Sequence, residues 1–137
     1  MVHLWIIYCR SQLEQSSIVW SSSLTQQNKD DLERTQKSFV KLILKNKFNT
    51  ENENEYENCL MRLNLQTLEA RRKLLSLNFA KNSTNHEKLK DLFTEKKNFK
   101  NTHNPEKYEV PFSNTERMKN SSIIYMQNLL NSNEQQQ

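Results

Sequence analysis

DDLERTQKSFVKLILKNK, residues 30–47, is the stretch that decides the predicted fold. On a helical wheel at about 100° per residue, its apolar and basic side chains fall on opposite sides. The apolar seam consists of Leu32, Gln36, Phe39, Leu42 and Ile43. The basic stripe consists of Arg34, Lys37, Lys41 and Lys45. This pattern predicts an amphipathic helix whose seam needs a partner helix and whose stripe is free to meet solvent or phosphate.

The acidic residues of this stretch support the same helix. Asp30 precedes Arg34, and Glu33 precedes Lys37, by one turn, which is the better order for helical ion pairs. Asp30 and Asp31 are also the kind of pair that a polymerase places on a tight hairpin to hold two metal ions. Because a helix follows the pair here, we interpret both carboxylates as first-turn residues that the helix dipole favours.

The absence of glycine excludes several functions and favours an all-α fold. The Walker phosphate loop, the dinucleotide-binding fingerprint and the nucleophile elbow all require glycine. Tight β-hairpin turns also lose their favoured residue. Asparagine is then the best remaining residue for ending a helix in the left-handed conformation. The predicted helix ends are Asn46, Asn64, Asn82 and Asn131.

Composition predicts one small domain. The chain has 137 residues, of which 34% are hydrophobic, and its mean hydropathy is −0.95. The net charge of +4 favours acidic partners, nucleic acid first among them. The apolar run at residues 4–9 is too short to span a membrane, and we expect no membrane partner. We expect an intracellular protein, and the sequence does not distinguish nucleus from cytoplasm.

The sequence predicts four to six helices in a small irregular bundle. We expect a helical region at residues 1–93, an extended, mobile basic linker at 94–112, a C-terminal helix at 113–131 and a disordered tail at 132–137. Within the helical region, the predicted helices cover residues 2–21, 30–47, 55–63, 68–81 and 86–93. A kink or strand is expected near residues 16–19, where serines and β-branched residues weaken the first helix.

Capping residues predict where three of these helices begin. Ser23 with Gln26 has the spacing of a capping box for the helix that carries the basic stripe. Ser113 with Glu116 has the same spacing before the C-terminal helix. Thr67 is the predicted N-cap of the helix that starts at residue 68.

Catalytic and metal-binding signatures are missing from the sequence. His3, His86 and His103 are scattered, and they form no zinc pattern with Cys9 and Cys59. The two cysteines are far apart and predict no disulfide framework. We therefore predict no catalytic residues, no metal ligands, no cofactor, no small-molecule substrate and no enzymatic activity by this chain alone.

The basic stripe, together with Arg71 and Arg72, is the candidate binding surface. Several cations on one rigid helix face would suit a phosphate backbone, whereas the simpler interpretation is a solvated face. Tyr8, Trp5 and Trp20 could stack on bases, although packing is the simpler role for aromatic residues at helical spacing.

Four segments of the chain, in order, resemble the region after the catalytic palm of non-LTR retrotransposon reverse transcriptases. The family's "Y-x-R-x-x-L-E-Y-x-S-x-V-W-S-P" stretch is matched by Tyr8, Arg10, Leu13, Glu14, Ser17, Val19, Trp20 and Ser21. Its "L-E-R-x-Q-R-R-F" helix is matched by Leu32, Glu33, Arg34, Gln36, Lys37 and Phe39. Its "Y-x-x-R-L-x-x-L-x-L-P-x-L-E-x-R-R" segment is matched by Tyr56, Leu60, Leu63, Leu65, Leu68, Glu69, Arg71 and Arg72. Residues 104–108, 112–117 and 125–131 resemble C-termini of arthropod-type members.

The resemblance implies a piece of a polymerase without its active sites. The palm aspartates and the endonuclease of the family would lie upstream of Met1, and what remains resembles the thumb and C-terminal connection. In the family this region helps to grip RNA template and DNA product, so the resemblance points to RNA or DNA backbone as a partner. The chain departs from the family at prolines, replaced by Ser22, Gln66 and Ile124, and at Cys59, where the family has arginine.

The alternative class is a small helical interaction module. In that case the apolar seam would dock against another chain, such as a partner helix or a missing palm segment.

Overall fold

The structure is a computed structural model that describes residues 1–45, 52–96 and 107–134. Seven helices and no strand occur in these residues, which confirms the all-α prediction. The helices are α1 (Val2–Leu4, continued by π-helix over Trp5–Arg10 and α-helix over Ser11–Glu14), α2 (Ser17–Trp20), α3 (Gln26–Ile43), α4 (Glu53–Arg62), α5 (Leu68–Thr84), α6 (Glu116–Lys119) and α7 (Ser122–Glu134). Short 3-10 turns lie at Ser21–Ser23 and Lys90–Leu92. None of the described helices is long and apolar enough to cross a membrane.

The residues divide into two compact units, each with its own small core. The first unit comprises Met1–Ser17 and Leu24–Lys73, and the second comprises Ile18–Ser23 and Leu74–Gln137. The core of the first unit is formed by Val40, Tyr56, Cys59, Leu60 and Leu65. The core of the second unit is formed by Ala80, Phe93, Tyr108, Met126 and Leu130. Each unit thus has its own small cluster of buried residues.

The buried side of α3 contains Gln36 and Phe39 of the predicted seam, but Val40 is buried in place of Leu42. Val40 and Gln36 are fully buried, whereas Leu42 is 66% exposed. Phe39 stacks on Trp5, with ring centroids 4.3 Å apart and ring planes 12° apart. The seam is therefore rotated towards Val40, because the aromatic stack and the α4 cluster determine which side of α3 faces inwards.

Helix α3 begins at a different cap from the one predicted. The Thr25 hydroxyl accepts the backbone N–H of Asn28 at 3.3 Å, and the helix starts at Gln26. The predicted capping box of Ser23 with Gln26 is wrong. The Ser23 hydroxyl instead donates to the carbonyl of Trp20 at 2.9 Å, within the preceding 3-10 turn.

Of the other two N-cap predictions, one is confirmed and one is wrong. Thr67 accepts the N–H of Ala70 at 3.2 Å at the start of α5, as predicted. The predicted box that starts at Ser113 is wrong, because the Thr115 hydroxyl accepts the N–H of Met118 at 3.3 Å and starts the short helix α6. The predicted C-terminal helix is therefore split, and its second part, α7, continues to Glu134 rather than ending at residue 131.

Of the four asparagines predicted to end a helix in the left-handed conformation, one is confirmed, two are wrong and one lies outside the described residues. Asn64 has φ 52° just after α4, as expected. Lys45 takes this role after α3, also with φ 52°, and Asn46 lies outside the described residues. Asn82 and Asn131 lie inside α5 and α7, so those two predicted ends are wrong. Asn131 is held in its helix by a tertiary contact, since its side-chain amide bonds both backbone groups of Tyr108 at 2.9 and 3.1 Å.

The predicted first helix breaks where serine weakened it. Ser16 has φ 53°, which separates α1 from the short α2. Within α1, Leu4 and Ile7 are 57% and 59% exposed, and Trp5 is the buried residue.

The second unit is less helical than predicted around residues 86–112. The predicted helix at 86–93 is a turn followed by the 3-10 turn. Glu95 and Tyr108 form an isolated antiparallel bridge, and Lys96 donates to the carbonyl of Lys107 at 2.8 Å. The described ends of the predicted linker are thus held together, and residues 97–106 lie outside the described residues.

Candidate nucleic-acid interface

A buried polar network fixes the inner side of α3. Gln36 Nε2 donates to the hydroxyl of Tyr56 at 3.1 Å and to the carbonyl of Gln66 at 2.9 Å. The Tyr56 hydroxyl donates to Glu33 Oε1 at 2.6 Å, and Glu33 Oε2 accepts the backbone N–H of Leu68 at 3.0 Å. We call these contacts the Glu33–Tyr56–Gln36 network. Each donor polarises the next, and the network joins α3 to α4 and to the start of α5.

Two electrostatic consequences follow from this network. Leu68 is the first residue of α5, so the Glu33 carboxylate satisfies an N–H that has no partner within that helix and interacts favourably with its dipole. Burial raises the pKa of the Tyr56 hydroxyl well above its ordinary value, and the bond to the Glu33 carboxylate raises it further. The predicted Glu33–Lys37 ion pair is wrong, because Glu33 turns inwards and the Lys37 ammonium lies 5.2 Å from the centre of the Tyr56 ring.

The N-terminal part of the basic stripe has acidic neighbours. Arg34, whose side chain is 70% exposed, pairs with Asp31 at 3.0 Å rather than with the predicted Asp30. Asp30 instead accepts the side-chain amide of Gln26 at 2.9 Å, and Asp31 accepts that of Gln27 at 3.2 Å. Because α3 begins at Gln26, the aspartates follow its first turn, and the predicted first-turn role is wrong.

The C-terminal part of the stripe extends past the helix. Lys41 is half-buried in the last turn of α3, and its side chain has an interaction of its own. Lys45 is exposed, but it lies beyond the helix end at Ile43. The predicted stripe therefore has Arg34, Lys37 and Lys41 on the helix and Lys45 on the following turn.

The two arginines predicted on α5 are much less accessible. Arg72 is 3% exposed, which contradicts the prediction that it lies on the exposed side. Arg71 is half-buried, and its Nε lies 3.1 Å from Glu14 Oε1, which also pairs with Arg10 Nε at 3.4 Å. Lys73 is exposed.

The buried side of α5 explains the position of Arg72. Ser76 and Ala80 are fully buried one and two turns further on. Phe79, by contrast, is 39% exposed. The small side chains of α5 therefore face inwards, and Arg72 lies in line with them.

A groove of about 540 Å³ runs beside the N-terminal half of the stripe. Its charged lining, among the described residues, consists of the cations Lys29, Arg34 and Lys37 and the carboxylates Asp30, Glu33, Glu53, Glu57 and Glu69. Carboxylates outnumber cations by five to three, and Lys29 pairs with Glu69 at 3.3 Å. The groove therefore disfavours phosphate, and a backbone contact would have to use the outer side of the stripe.

The remaining sequence candidates are spread over the molecule. Trp5 is buried in its stack, so it is not free to stack on a base, whereas Tyr8 is 67% exposed. Trp20 is half-buried. Cys9 is an exposed free thiol and Cys59 a buried one. Within the described ranges, no group of three or more histidine, cysteine or acidic side chains is arranged to hold a metal ion.

No protein-family model matches the chain, and no curated protein or solved structure is significantly similar to it. The resemblance to reverse transcriptases therefore stays a prediction. Helical periodicity placed Gln36 on the buried seam of α3, but it missed Glu33 and Tyr56 as the partners of Gln36, because it contains no information about contacts between helices. A signal was available nonetheless, since all three residues belong to the segments that carry the resemblance.

Proposed function

We propose that this chain corresponds to the C-terminal region of a non-LTR retrotransposon reverse transcriptase, without polymerase or endonuclease activity. Its own activity would be weak, sequence-independent binding to RNA or DNA backbone. The proposal is supported by the four resembling segments, which occur in the family's order, and by the net charge of +4. It would leave catalysis to parts of the polymerase that this chain does not contain.

The observation that carries the binding proposal is the opposite placement of two groups on α3. Gln36 and Val40 are buried on one side, where the network holds the helix in place, and Arg34 is mostly exposed on the other. A rigid helix that presents cations at one-turn spacing loses little conformational freedom when it meets a phosphate backbone.

The number of cations on the stripe limits the affinity. Arg71 is half-buried in its pair with Glu14 and Arg72 is buried, so the proposed carriers reduce to the basic stripe of Arg34, Lys37, Lys41 and Lys45. Each neutralised phosphate contributes about −0.7 to the slope of log K against log salt for single strands and about −0.9 for duplexes. Three or four contacts therefore correspond to a slope of about −2 to −3.5, with dissociation constants of about 10⁻⁵ M or weaker.

The test compares two triple variants of equal charge. The variant Arg34→Gln, Lys41→Gln, Lys45→Gln should bind single-stranded RNA more weakly for every sequence, with a slope shallower by about 2 between about 50 and 200 mM salt. The control variant Lys73→Gln, Lys81→Gln, Lys88→Gln removes three exposed charges from other positions and should retain most of the slope. Equal losses in both variants would contradict the assignment, and so would an unchanged slope in the first.

The alternative interaction module has less support. Its docking surface would be the apolar seam of α3, but Gln36 of that seam is fully buried and Phe39 already packs against the core of the first unit.

A further inference from the structure

The basic stripe is a single row of cations along α3. Arg34, Lys37 and Lys41 follow one another at spacings of three and four residues, which places them on one side of the helix. From Arg34 to Lys41 the row is about 10 Å long at the helical rise, and Lys45 continues it on the following turn. A row of this shape matches the phosphates of one nucleic-acid strand.

One flank of the row is the groove of about 540 Å³, which we call the acidic groove because carboxylates outnumber cations among its described lining residues. Glu53 and Glu57 lie one turn apart on its α4 side, and both are exposed. Glu33 is held on its α3 side by the Tyr56 hydroxyl and the Leu68 N–H, so its charge cannot swing away. Phosphates over this flank are therefore repelled.

The other flank of the row does not attract phosphate either. On the helical wheel it consists of exposed residues without a cation, namely Asp31, Thr35, Ser38 and Leu42. Its one charged group, the Asp31 carboxylate, is paired with Arg34 at 3.0 Å. The described residues of α3 and α4 thus provide cations for one row of phosphates and for no second row beside it.

A duplex presents two rows of phosphates where a single strand presents one. The two strands of B-DNA face each other across grooves about 6 and about 12 Å wide. Packed helices have their axes about 8–10 Å apart, so a second strand at that distance from the stripe lies over α4 or over the flank that carries Asp31. Charges at such distances still interact, because the Debye length is about 10 Å at 0.1 M salt.

We propose that the basic stripe selects single-stranded nucleic acid over duplex, because the acidic groove repels the second strand. This inference rests on the proposed function, and it names the class of nucleic acid that the site takes. The predicted order is the reverse of that expected for an unflanked basic surface. A duplex carries one charge per about 1.7 Å of its axis, twice the density of one of its strands, and attracts such a surface more strongly.

The experiment measures fluorescence anisotropy of two DNA probes with the full chain at about 100 mM salt and at protein concentrations up to about 500 µM, since binding is weak. One probe is a mixed-sequence single strand of about 12 nucleotides, which exceeds the length of the row, and the other is its duplex with the complementary strand. The test variant is Glu53→Gln with Glu57→Gln. The control variant, Glu87→Gln with Glu109→Gln, removes two exposed carboxylates of the second unit. Circular dichroism checks that each variant retains its helices.

The parent should bind the single strand at least about threefold more tightly than the duplex. The test variant should bind the duplex about three- to tenfold more tightly than the parent does, and the single strand less than about twofold more tightly, so that the preference is lost. The control variant adds the same net charge. It should strengthen binding of both probes alike and keep the preference.

Two results would overturn the inference and leave the proposed function in place. The parent could bind the duplex as tightly as the single strand or more tightly, or the test variant could gain equally for both probes. Absence of salt-sensitive binding to either probe would instead contradict the proposed function, and the inference with it.

If the double variant loses its helices, Glu57→Gln alone replaces it, because Glu57 lies within α4 whereas Glu53 is its first residue. That variant must lower the preference for the single strand if the inference is to stand.

Discussion

Arg34 on α3 and Arg72 on α5 were predicted to have the same role, yet their environments are opposite. The Arg34 side chain is 70% exposed, whereas Arg72 is 3% exposed. On α3 the inner side is occupied by Glu33 and Gln36, whose polar atoms bond to Tyr56, Gln66 and Leu68. On α5 the buried residues are Leu68 and the small Ser76 and Ala80, and Arg72 lies among them. The comparison teaches that charge alone does not identify the solvent side of a helix.

This difference in exposure separates cations that stabilise the fold from cations that can contact a ligand. On this account Arg72 contributes to folding, and Arg34 contributes to binding with little effect on folding. Each experiment below changes one side of that comparison, from the largest expected effect to the smallest.

Removal of the network's carboxylate should have the largest effect on stability. Glu33→Ala leaves the Tyr56 hydroxyl and the Leu68 N–H without their acceptor, and each such buried group costs about 1–3 kcal/mol. Urea denaturation should show a loss of about 2–4 kcal/mol. Glu57→Ala, an exposed acidic residue on α4, should change stability by less than about 0.5 kcal/mol. Similar values for the two variants would contradict the structural role of the network.

The two arginines themselves provide the next test. Arg72→Ala should cost about 2 kcal/mol, because it empties a buried position and removes that side chain's contacts. Arg34→Ala should cost less than about 0.5 kcal/mol, because its pair with Asp31 is exposed. If urea denaturation showed a larger loss for Arg34→Ala than for Arg72→Ala, the buried position of Arg72 would be contradicted.

Tyr56 gives the network a pH signature. Its raised pKa means that the folded state keeps the phenolic proton while the unfolded state loses it near pH 10. The stabilisation is therefore fully present below about pH 10 and decreases above it, by up to about 1.4 kcal/mol per pH unit. Tyr56→Phe should abolish this part of the decrease, which the difference between the two urea-denaturation profiles measures. Parallel profiles above pH 10 would contradict the buried position of the hydroxyl.

Arg71 should show an effect between those of Arg72 and Arg34. The Arg71–Glu14 ion pair is half-buried. Arg71→Gln should therefore lower the free energy of unfolding, measured by urea denaturation, by about 0.5–1 kcal/mol. A loss as large as that of Arg72→Ala would mean that the two α5 arginines act as one buried group.

Local features were predictable from the sequence, and the side that each helix buries was less so. The cap at Thr67 and the left-handed Asn64 depend on neighbouring residues alone, and both predictions are confirmed. The burial of Gln36 depends on Tyr56, 20 residues away, and on Gln66, 30 residues away. Helical periodicity contains no information about such distant partners. The seam of α3 was therefore predicted correctly at Gln36 and Phe39 and wrongly at Leu42, and the polar partners of Gln36 were not predicted.

The candidate site was predictable to a similar extent. The cations of α3 were found from their spacing, because helical periodicity determines which of them are neighbours. Their pairing was not, since Arg34 pairs with Asp31 and Glu33 turns inwards to Tyr56. The acidic groove beside Lys37 also depends on α4, whose carboxylates periodicity within α3 does not reveal.

The most direct test of this account compares the RNA-binding salt slopes of Arg34→Gln and Arg71→Gln, each of which removes one charge. The account predicts that Arg34→Gln makes the slope shallower by up to about 0.7 for single-stranded RNA. It predicts a much smaller change in the slope for Arg71→Gln, since the Arg71–Glu14 pair is half-buried, whereas Arg34 is 70% exposed in its pair with Asp31. An equal or larger change for Arg71→Gln would contradict the assignment of binding to α3.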